Sequence, residues 1–200
     1  MTKPSDFHPD LKEGDIAKVA QLITSAYEEA VDHMMVDKGD TNWGLGCRRY
    51  EWARQKIRQS ANTAEHPYLS ILEDEGNKFT FLIGQVPVRF KRGDSESIDK
   101  NMFTQYQVEA AQLSLLNFSG INDPCELSWR VLMTVDLRGD VIRAVFLGAT
   151  EGGFVKCFWE VPTSALRAVP VAVLKKKDEG VDLTPAKVGL KDIKKKETAG

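Results

Sequence analysis

Apolar residues recur with helical spacing near the beginning of the chain. This periodicity covers residues 15–36, with apolar positions at Ile16, Val19, Ala20, Ile23, Tyr27, Ala30 and Met34. Repeats of three and four residues predict an amphipathic helix, and Asp15 can serve as its N-cap. The same spacing predicts a second helix over 47–61. Good helix formers with apolar residues on more than one side predict a third over 104–117.

Alternation of apolar and polar residues indicates strands in the rest of the chain. Residues 68–72 and 79–83 flank a charged segment with one glycine, which is typical of a hairpin. Further strands are predicted over 129–135, 141–148 and 154–161. The loops between these last three are short, so consecutive strands must pair antiparallel.

One apolar–polar segment, residues 86–92, contains a proline. Because Pro87 has no N–H to donate, we expect this segment to be an edge strand or a bend. The element order is therefore ααββαβββ, with this extra strand at an edge. The pattern predicts an α+β fold: a mainly antiparallel sheet of five or six strands, with helices packed on one face.

The domain organisation follows from the distribution of apolar residues. Residues 1–14 are mostly polar and are expected to form a flexible arm. Residues 15–174 carry the apolar periodicity of a single α+β domain. Residues 175–200 are rich in lysine and poor in apolar residues, which favours a disordered tail.

Charge and cysteine content point to the cytoplasm. The net charge is −2, and the segment from Lys175 onward carries +3, which leaves −5 on residues 1–174. No apolar run approaches the roughly 18 residues that span a bilayer, so no membrane contact is expected. The polar N-terminus does not resemble a signal peptide. Three widely spaced cysteines suit a reducing compartment better than a disulfide framework.

The segment GLGCRRYEWARQKIRQ, residues 44–59, is the candidate functional region. As a phosphate loop it lacks the third glycine of GxGxxG, where Arg49 stands. As a thiol site it offers Cys47 beside Arg48 and Arg49, with His66 as the candidate base. The alternative is that Cys47 is a small buried residue at a helix start.

The third interpretation of this segment is a docking face. On a helix, Tyr50, Ala53 and Ile57 form an apolar stripe, and the opposite side carries the basic–aromatic set of Arg48, Trp52 and Lys56. If the stripe faces the sheet, Trp52 points to solvent between two cations. Trp52 packed under the first helix is the equally open alternative.

A second basic pair lies on the proline-containing strand. Alternation places Arg89 and Lys91 on the same side of residues 86–92. Protection of a sheet edge explains these charges most simply. Together with the second helix they would extend a positive surface, so the predicted binding residues are Arg48, Arg49, Trp52, Lys56, Arg89 and Lys91.

Catalytic and cofactor motifs are not found in the sequence. It contains no GxSxG, HExxH or CxxC, and no Walker glycine–lysine loop. Glu29, His33 and Asp37 have helical spacing, but a solvated helix face explains them better than a metal. We therefore expect no catalytic residues, no metal and no cofactor.

These observations favour a non-catalytic interaction protein that binds a protein partner. Its expected type is a small bacterial-type cytoplasmic regulator of the antitoxin, immunity or inhibitor kind, docking through the basic–aromatic helix and the sheet face. The alternatives are a nucleic-acid-binding protein that uses Arg48, Trp52, Lys56 and the basic tail, and an enzyme that uses Cys47. An open sheet face could also form a homo-oligomer through exposed aromatic residues among Phe146, Phe154, Phe158 and Trp159.

Overall fold

The structure of the chain is a computed structural model that describes residues 3–118, 127–136 and 139–166. The helices are α1 (Glu13–Asp32), α2 (Asn42–Ser60), α3 (Gln107–Phe118) and α4 (Thr163–Leu166). The strands are β1 (Leu69–Glu75), β2 (Lys78–Ile83), β3 (Val86–Arg92), β4 (Ser128–Val135), β5 (Val141–Ala149) and β6 (Val155–Glu160). The predicted α+β class is confirmed.

The six strands form one sheet in the order β1-β2-β3-β4-β5-β6. Consecutive strands pair antiparallel except β3 and β4, which pair parallel. Glycines with positive φ make the tight β1–β2 and β2–β3 turns, at Gly76 and Gly84. The predicted hairpin and the antiparallel meander of the last three strands are both confirmed.

The position of β3 differs from the prediction. We expected residues 86–92 at an edge, but β3 lies between β2 and β4. Pro87 pairs with Leu82 on β2, and the ladder to β4 begins only at Val88. The proline is tolerated because the β3–β4 ladder does not need its N–H. The missing proline N–H therefore falls outside the β3–β4 ladder.

Helices α1 and α2 pack side by side on one face of the sheet. They enclose the larger apolar cluster, in which the fully buried residues include Ile16, Ile23, Ala53, Ile57, Phe81, Val88, Val131 and Phe146. Trp129 stacks on Phe146 with ring centroids 5.2 Å apart. Burial of these side chains supplies the main stabilisation of the fold.

The opposite face of the sheet is covered by residues between β3 and β4. A 3₁₀ turn at Lys100–Phe103 buries Phe103 against Leu132, Val145 and Leu147. Next to it, α3 places the fully buried Glu109 carboxylate 2.6 Å from Nη1 of Arg130. The centre of this face is therefore buried and partly ionic.

The predicted open aromatic sheet face is not what the described strands show. Phe146 is buried in the larger cluster, and Trp159 packs against that cluster. Phe158 packs against the smaller cluster on the other face. Of the four candidate aromatics, Phe154 alone is largely exposed.

The N-terminal segment also differs from the prediction of a flexible arm over residues 1–14. Leu11 is fully buried, and the Phe7 ring lies 5.8 Å from the Trp129 ring. The Asp10 carboxylate accepts a hydrogen bond from the Gln85 N–H at 2.9 Å. Two isolated apolar residues gave no periodicity, which is why the sequence did not reveal this packing. The predicted tail, 175–200, lies outside the described residues.

The buried ion pair gives the first stability prediction. Replacing Glu109 with Gln leaves Arg130 buried without its counter-charge, and burial already lowers the pKa of that guanidinium. We expect a loss of about 3–5 kcal/mol in the free energy of unfolding, measured by urea denaturation. The matched control is Glu51→Gln, which removes an exposed carboxylate 3.5 Å from Arg54 and should cost less than about 1 kcal/mol. Equal effects of the two substitutions would show that Glu109 is not a buried counter-ion.

The close contact between Gly148 and Trp129 gives the second stability prediction. A Cβ at this position would lie 2.5 Å from the Trp129 ring, so Gly148→Ala should destabilise the protein by about 1–3 kcal/mol. Gly14, near the start of α1, has no atom within 4 Å of the corresponding Cβ. Gly14→Ala should therefore stabilise the protein by roughly 0.4–1 kcal/mol. Thermal melts of both variants check the pair, and a neutral Gly148→Ala variant would contradict the packing of Trp129.

Candidate functional site

Helix α2 begins five residues before its predicted start at residue 47. Thr41 is its N-cap, and the Thr41 hydroxyl accepts a hydrogen bond from the Gly44 N–H at 3.2 Å. Gly44 and Gly46 therefore lie within the helix, whereas the prediction placed them before its start. Their low helix propensity concealed this start, and the threonine cap offsets part of that cost.

The predicted basic–aromatic edge of α2 faces α1. Trp52 is half-buried against the core, and its ring lies 5.2 Å from that of His33. Lys56 forms an ion pair with Glu29 at 3.0 Å, and Arg48 forms one with Asp40 at 3.0 Å. This arrangement contradicts the prediction of an outward Trp52 between two free cations.

The two predicted residues on β3 have different surroundings. Arg89 is buried under α3, where its guanidinium lies 3.7 Å from Glu109 and 3.5 Å from the centre of the Tyr106 ring. It serves the fold. Lys91 is half-buried and forms no ion pair with any described carboxylate. Burial is the main cause that lowers the pKa of the Lys91 ammonium, and nearby Arg89 lowers it further.

A groove forms where the first turns of α2 pass the end of β3. We call this cavity of about 530 Å³ the α2–β3 groove. Its lining combines aromatic rings, cations and a thiol: Tyr27, Trp43, Tyr50, Phe90, Arg49, Lys91, Arg92 and Cys47. Trp43 is 81% exposed. Tyr50 is held in place by a tilted ring contact with Phe90, with centroids 5.3 Å apart, and by donating a hydrogen bond to the Asn77 carbonyl at 3.2 Å.

A second cavity of about 510 Å³ adjoins the groove. Its lining includes the ends of β3 and β4 and the residues Met34, Leu45, Asp94 and Asp136. Arg49 and Arg92 line both cavities. These two guanidinium groups therefore lie at the junction of the two spaces.

Arg49 is a buried cation without an ion-pair partner among the described residues. It is 3% exposed, and its Nη2 donates to the Gly139 carbonyl. Its Nε–H is buried and has no acceptor in the part of the chain that the structure describes. Burial and then Arg92 lower the pKa of the Arg49 guanidinium, while Tyr27, Asp140 and Asp136 oppose that shift. Such unneutralised burial costs stability, and it is typical of functional sites.

Arg92 is exposed and forms neither a hydrogen bond nor an ion pair within the described part of the chain. The contrast with other arginines is clear: Arg54 pairs with Asp74, and Arg143 pairs with Glu160 at 2.7 Å. Around the α2–β3 groove, Arg49, Lys91 and Arg92 thus leave positive charge that described carboxylates do not neutralise. This arrangement can bind an anionic group.

The predicted pairing of Cys47 with His66 does not form. Cys47 lies 13 residues before the end of α2, which is about 20 Å along the helix axis, and His66 follows that end. His66 is instead bonded through Nδ1 to the Tyr68 hydroxyl at 2.9 Å. Cys47 is exposed and lines the groove without a histidine base beside it.

The described residues offer neither a metal-binding cluster nor a helix that could span a membrane. Over the ranges that the structure describes, no group of three or more His, Cys, Asp and Glu could hold a metal ion. The candidate metal residue Glu29 is paired with Lys56. Over the same ranges, every helix is too short or too polar to cross a bilayer.

The sequence identified part of the groove and missed the rest. Arg49 and Lys91 were predicted binding residues, and both line it. Trp43, Tyr50 and Arg92 were not, because Trp43 lay before the predicted start of the second helix and Tyr50 was assigned to the apolar stripe. The available signal was Thr41, a favoured N-cap residue, which indicates a helix start that places Trp43 in the first turn.

Thiol accessibility gives a direct check of this geometry. Cys47 is exposed, whereas Cys157 is fully buried and burial raises the pKa of its thiol to about 11. At about pH 8, iodoacetamide should modify Cys47 in the folded protein and reach Cys157 only after unfolding. Peptide-resolved mass spectrometry distinguishes both from Cys125. Equal labelling rates for Cys47 and Cys157 would contradict the structure.

Comparison of the chain with models of protein families, with curated proteins and with solved structures found no significant match. No family can therefore be assigned from similarity. The function has to be inferred from the chemistry of the site itself.

Proposed function

We propose that the protein is a non-catalytic cytoplasmic interaction protein that binds an acidic segment of a protein partner in the α2–β3 groove. One observation carries the proposal. Arg49, Lys91 and Arg92 line a groove with aromatic walls, and none of them forms an ion pair with a described carboxylate.

The charge distribution supports a local anionic target. Residues 1–174 carry a net charge of −5, so the chain does not present a broad positive field. Positive potential is instead concentrated at the groove by cations without partners. A local patch of this kind favours a partner with a matching acidic segment, and it also speeds and orients the encounter.

The aromatic residues supply contact area. Trp43 is exposed, and the Tyr50 and Phe90 rings are already packed together before any partner arrives. Tryptophan, tyrosine and arginine are the residues that most often dominate interface energies. The groove offers all three, so an acidic segment with an apolar or aromatic residue is the partner that suits it best.

A nucleic acid is the second candidate, since aromatic rings and cations also bind single strands. Two features count against it. Glu51 lines the groove, and Asp94 and Asp136 line the adjoining cavity. These carboxylates would oppose a continuous phosphate backbone, whereas a short acidic segment can avoid them.

Peptide binding tests the proposal. The probe is a fluorescently labelled peptide rich in Glu and Asp with one central Phe, and the control peptide carries Gln and Asn in place of the acids. Anisotropy titrations should show saturable binding of the acidic peptide alone. Trp43→Ala should weaken binding at least tenfold, about 1.4 kcal/mol.

Lys156→Gln is a control variant for loss of one positive charge, to be compared with Lys91→Gln. Lys156 is exposed on β6, three strands from β3 in the sheet order. The Lys156→Gln variant should bind the acidic peptide with unchanged affinity, while Lys91→Gln should bind it more weakly. No binding of the acidic peptide, or binding indifferent to Trp43→Ala, overturns the proposal. Tighter binding of a single-stranded oligonucleotide, with a steep loss of affinity in salt, replaces it with the nucleic-acid function.

A further inference from the structure

We propose that Arg49 and Arg92 form an oxyanion-binding site at the junction of the two cavities, and that this site anchors one carboxylate or phosphate monoester of the bound segment. The inference rests on the proposed function, because it names the group that the groove recognises. It assigns a separate task to these two arginines, beyond the general positive charge that Lys91 also provides.

Arg49 is held in a defined position before any ligand arrives. Its Nη2 donates to the Gly139 carbonyl, and its guanidinium lies 5.6 Å from the centre of the Tyr27 ring. Gly139 has φ +96°, and a Cβ there would collide with the guanidinium of Arg49. A glycine is therefore required for this close approach. A preorganised guanidinium loses little side-chain entropy when it binds an anion.

Arg49 also retains unused hydrogen-bonding capacity. A guanidinium has five N–H donors, and the Gly139 carbonyl takes one of them. The buried Nε–H has no acceptor. A ligand oxyanion is the acceptor that the described residues do not supply, and Arg–oxyanion bonds are among the stronger hydrogen bonds in proteins.

Asp136, one of the two carboxylates that act on Arg49, accepts hydrogen bonds from the neighbouring turn. Oδ1 of Asp136 accepts hydrogen bonds from the Gly139 N–H at 2.8 Å and from the Asp140 N–H at 2.9 Å. Asp136 therefore stabilises the backbone that presents the Gly139 carbonyl to Arg49. The turn therefore holds Arg49 in place, while burial still lowers the pKa of its guanidinium despite the opposing effects of Asp140 and Asp136.

Arg92 supplies the second positive group. It reaches both cavities from the end of β3, and it lies close enough to lower the pKa of the Arg49 guanidinium. Two cations that line the same cavities repel each other, and an anion between them is attracted by both, which offsets that repulsion. An oxyanion at the junction can bind both guanidinium groups at once.

The neighbouring aromatic wall indicates what should accompany the oxyanion. Tyr50 and Phe90 line the groove beside the junction, and Trp43 lines the same space. A flat ring next to an oxyanion would contact these side chains while its charge reaches the arginines. Phenyl phosphate and phenylacetate are therefore the probes for the two sources of oxyanion, and inorganic phosphate tests the charge without the ring.

NMR of the arginine side chains measures directly whether an anion binds at Arg49 and Arg92. In protein labelled with ¹⁵N-arginine, the Nε–Hε resonances of Arg49 and Arg92 should shift saturably with phenyl phosphate or phenylacetate, while those of Arg58 and Arg143 stay in place. Whichever aryl probe binds more tightly identifies the oxyanion. Inorganic phosphate should bind at least tenfold more weakly than phenyl phosphate.

Two variants accompany the titration. Arg92→Gln should weaken binding of the preferred aryl probe at least tenfold, and Lys156→Gln should leave it unchanged. Arg92 is exposed, so its replacement should not compromise folding. Arg49→Lys retains the charge but loses the planar donors, and the resonances of the unmodified protein remain informative if that variant does not fold.

Several outcomes overturn the inference. One is the absence of saturable shifts at Arg49 and Arg92 with all three probes. Another is a uniform shift of all arginines, which indicates charge screening alone. If the acidic peptide binds with unchanged affinity to Arg92→Gln, the inference is overturned while the proposed function stands. If the aryl probes bind but the acidic peptide does not, the oxyanion site stands and the proposed function fails.

Discussion

The buried carboxylate of Glu109 is the interaction on which the arrangement of the sheet depends. It lies between Arg130 of β4 and Arg89 of β3, at 2.6 Å and 3.7 Å, on a face from which water is excluded. Without it, two guanidinium groups on neighbouring interior strands would be buried together and would repel each other. With it, a strand as basic as β3 can occupy the interior of the sheet. The parallel pairing of β3 with β4 then directs the end of β3 towards α2.

This position of β3 creates the α2–β3 groove. The strand ends at Arg92, beside the first turns of α2, where Arg49 is fixed against the Gly139 carbonyl. The same strand thus carries one cation that the fold neutralises, Arg89, and one that it does not, Arg92. Charge that is paired stabilises structure, whereas buried or clustered charge without a partner is retained at a cost. That contrast is why the groove, and not the predicted outer edge of α2, is the binding site we propose.

Local signals in the sequence predicted most of the elements. Alternation and short turns are properties of neighbouring residues, so the β1–β2 hairpin and the β4–β6 meander were correct. The interior position of β3 was missed because Pro87 and the adjacent cations resemble an edge strand, while the pairing with β4 depends on residues far apart in the chain. The start of α2 was missed because Gly44 and Gly46 disfavour helix. The orientation of α2 was the least successful prediction, because Trp52 lies against α1 and Trp43 is the exposed tryptophan.

The groove and the junction of Arg49 and Arg92 depend on the parallel β3–β4 ladder, which NMR can measure directly. Nuclear Overhauser contacts between strands should connect Val88 with Trp129 and Phe90 with Val131, in the pattern of a parallel pair. The β3 amides that bond to β4 should also be among the slowest in the protein to exchange with deuterium. An absence of these contacts, together with fast exchange of every amide from 88 to 92, would show that β3 does not pair with β4. In that case neither the groove nor the junction of Arg49 and Arg92 would exist as described.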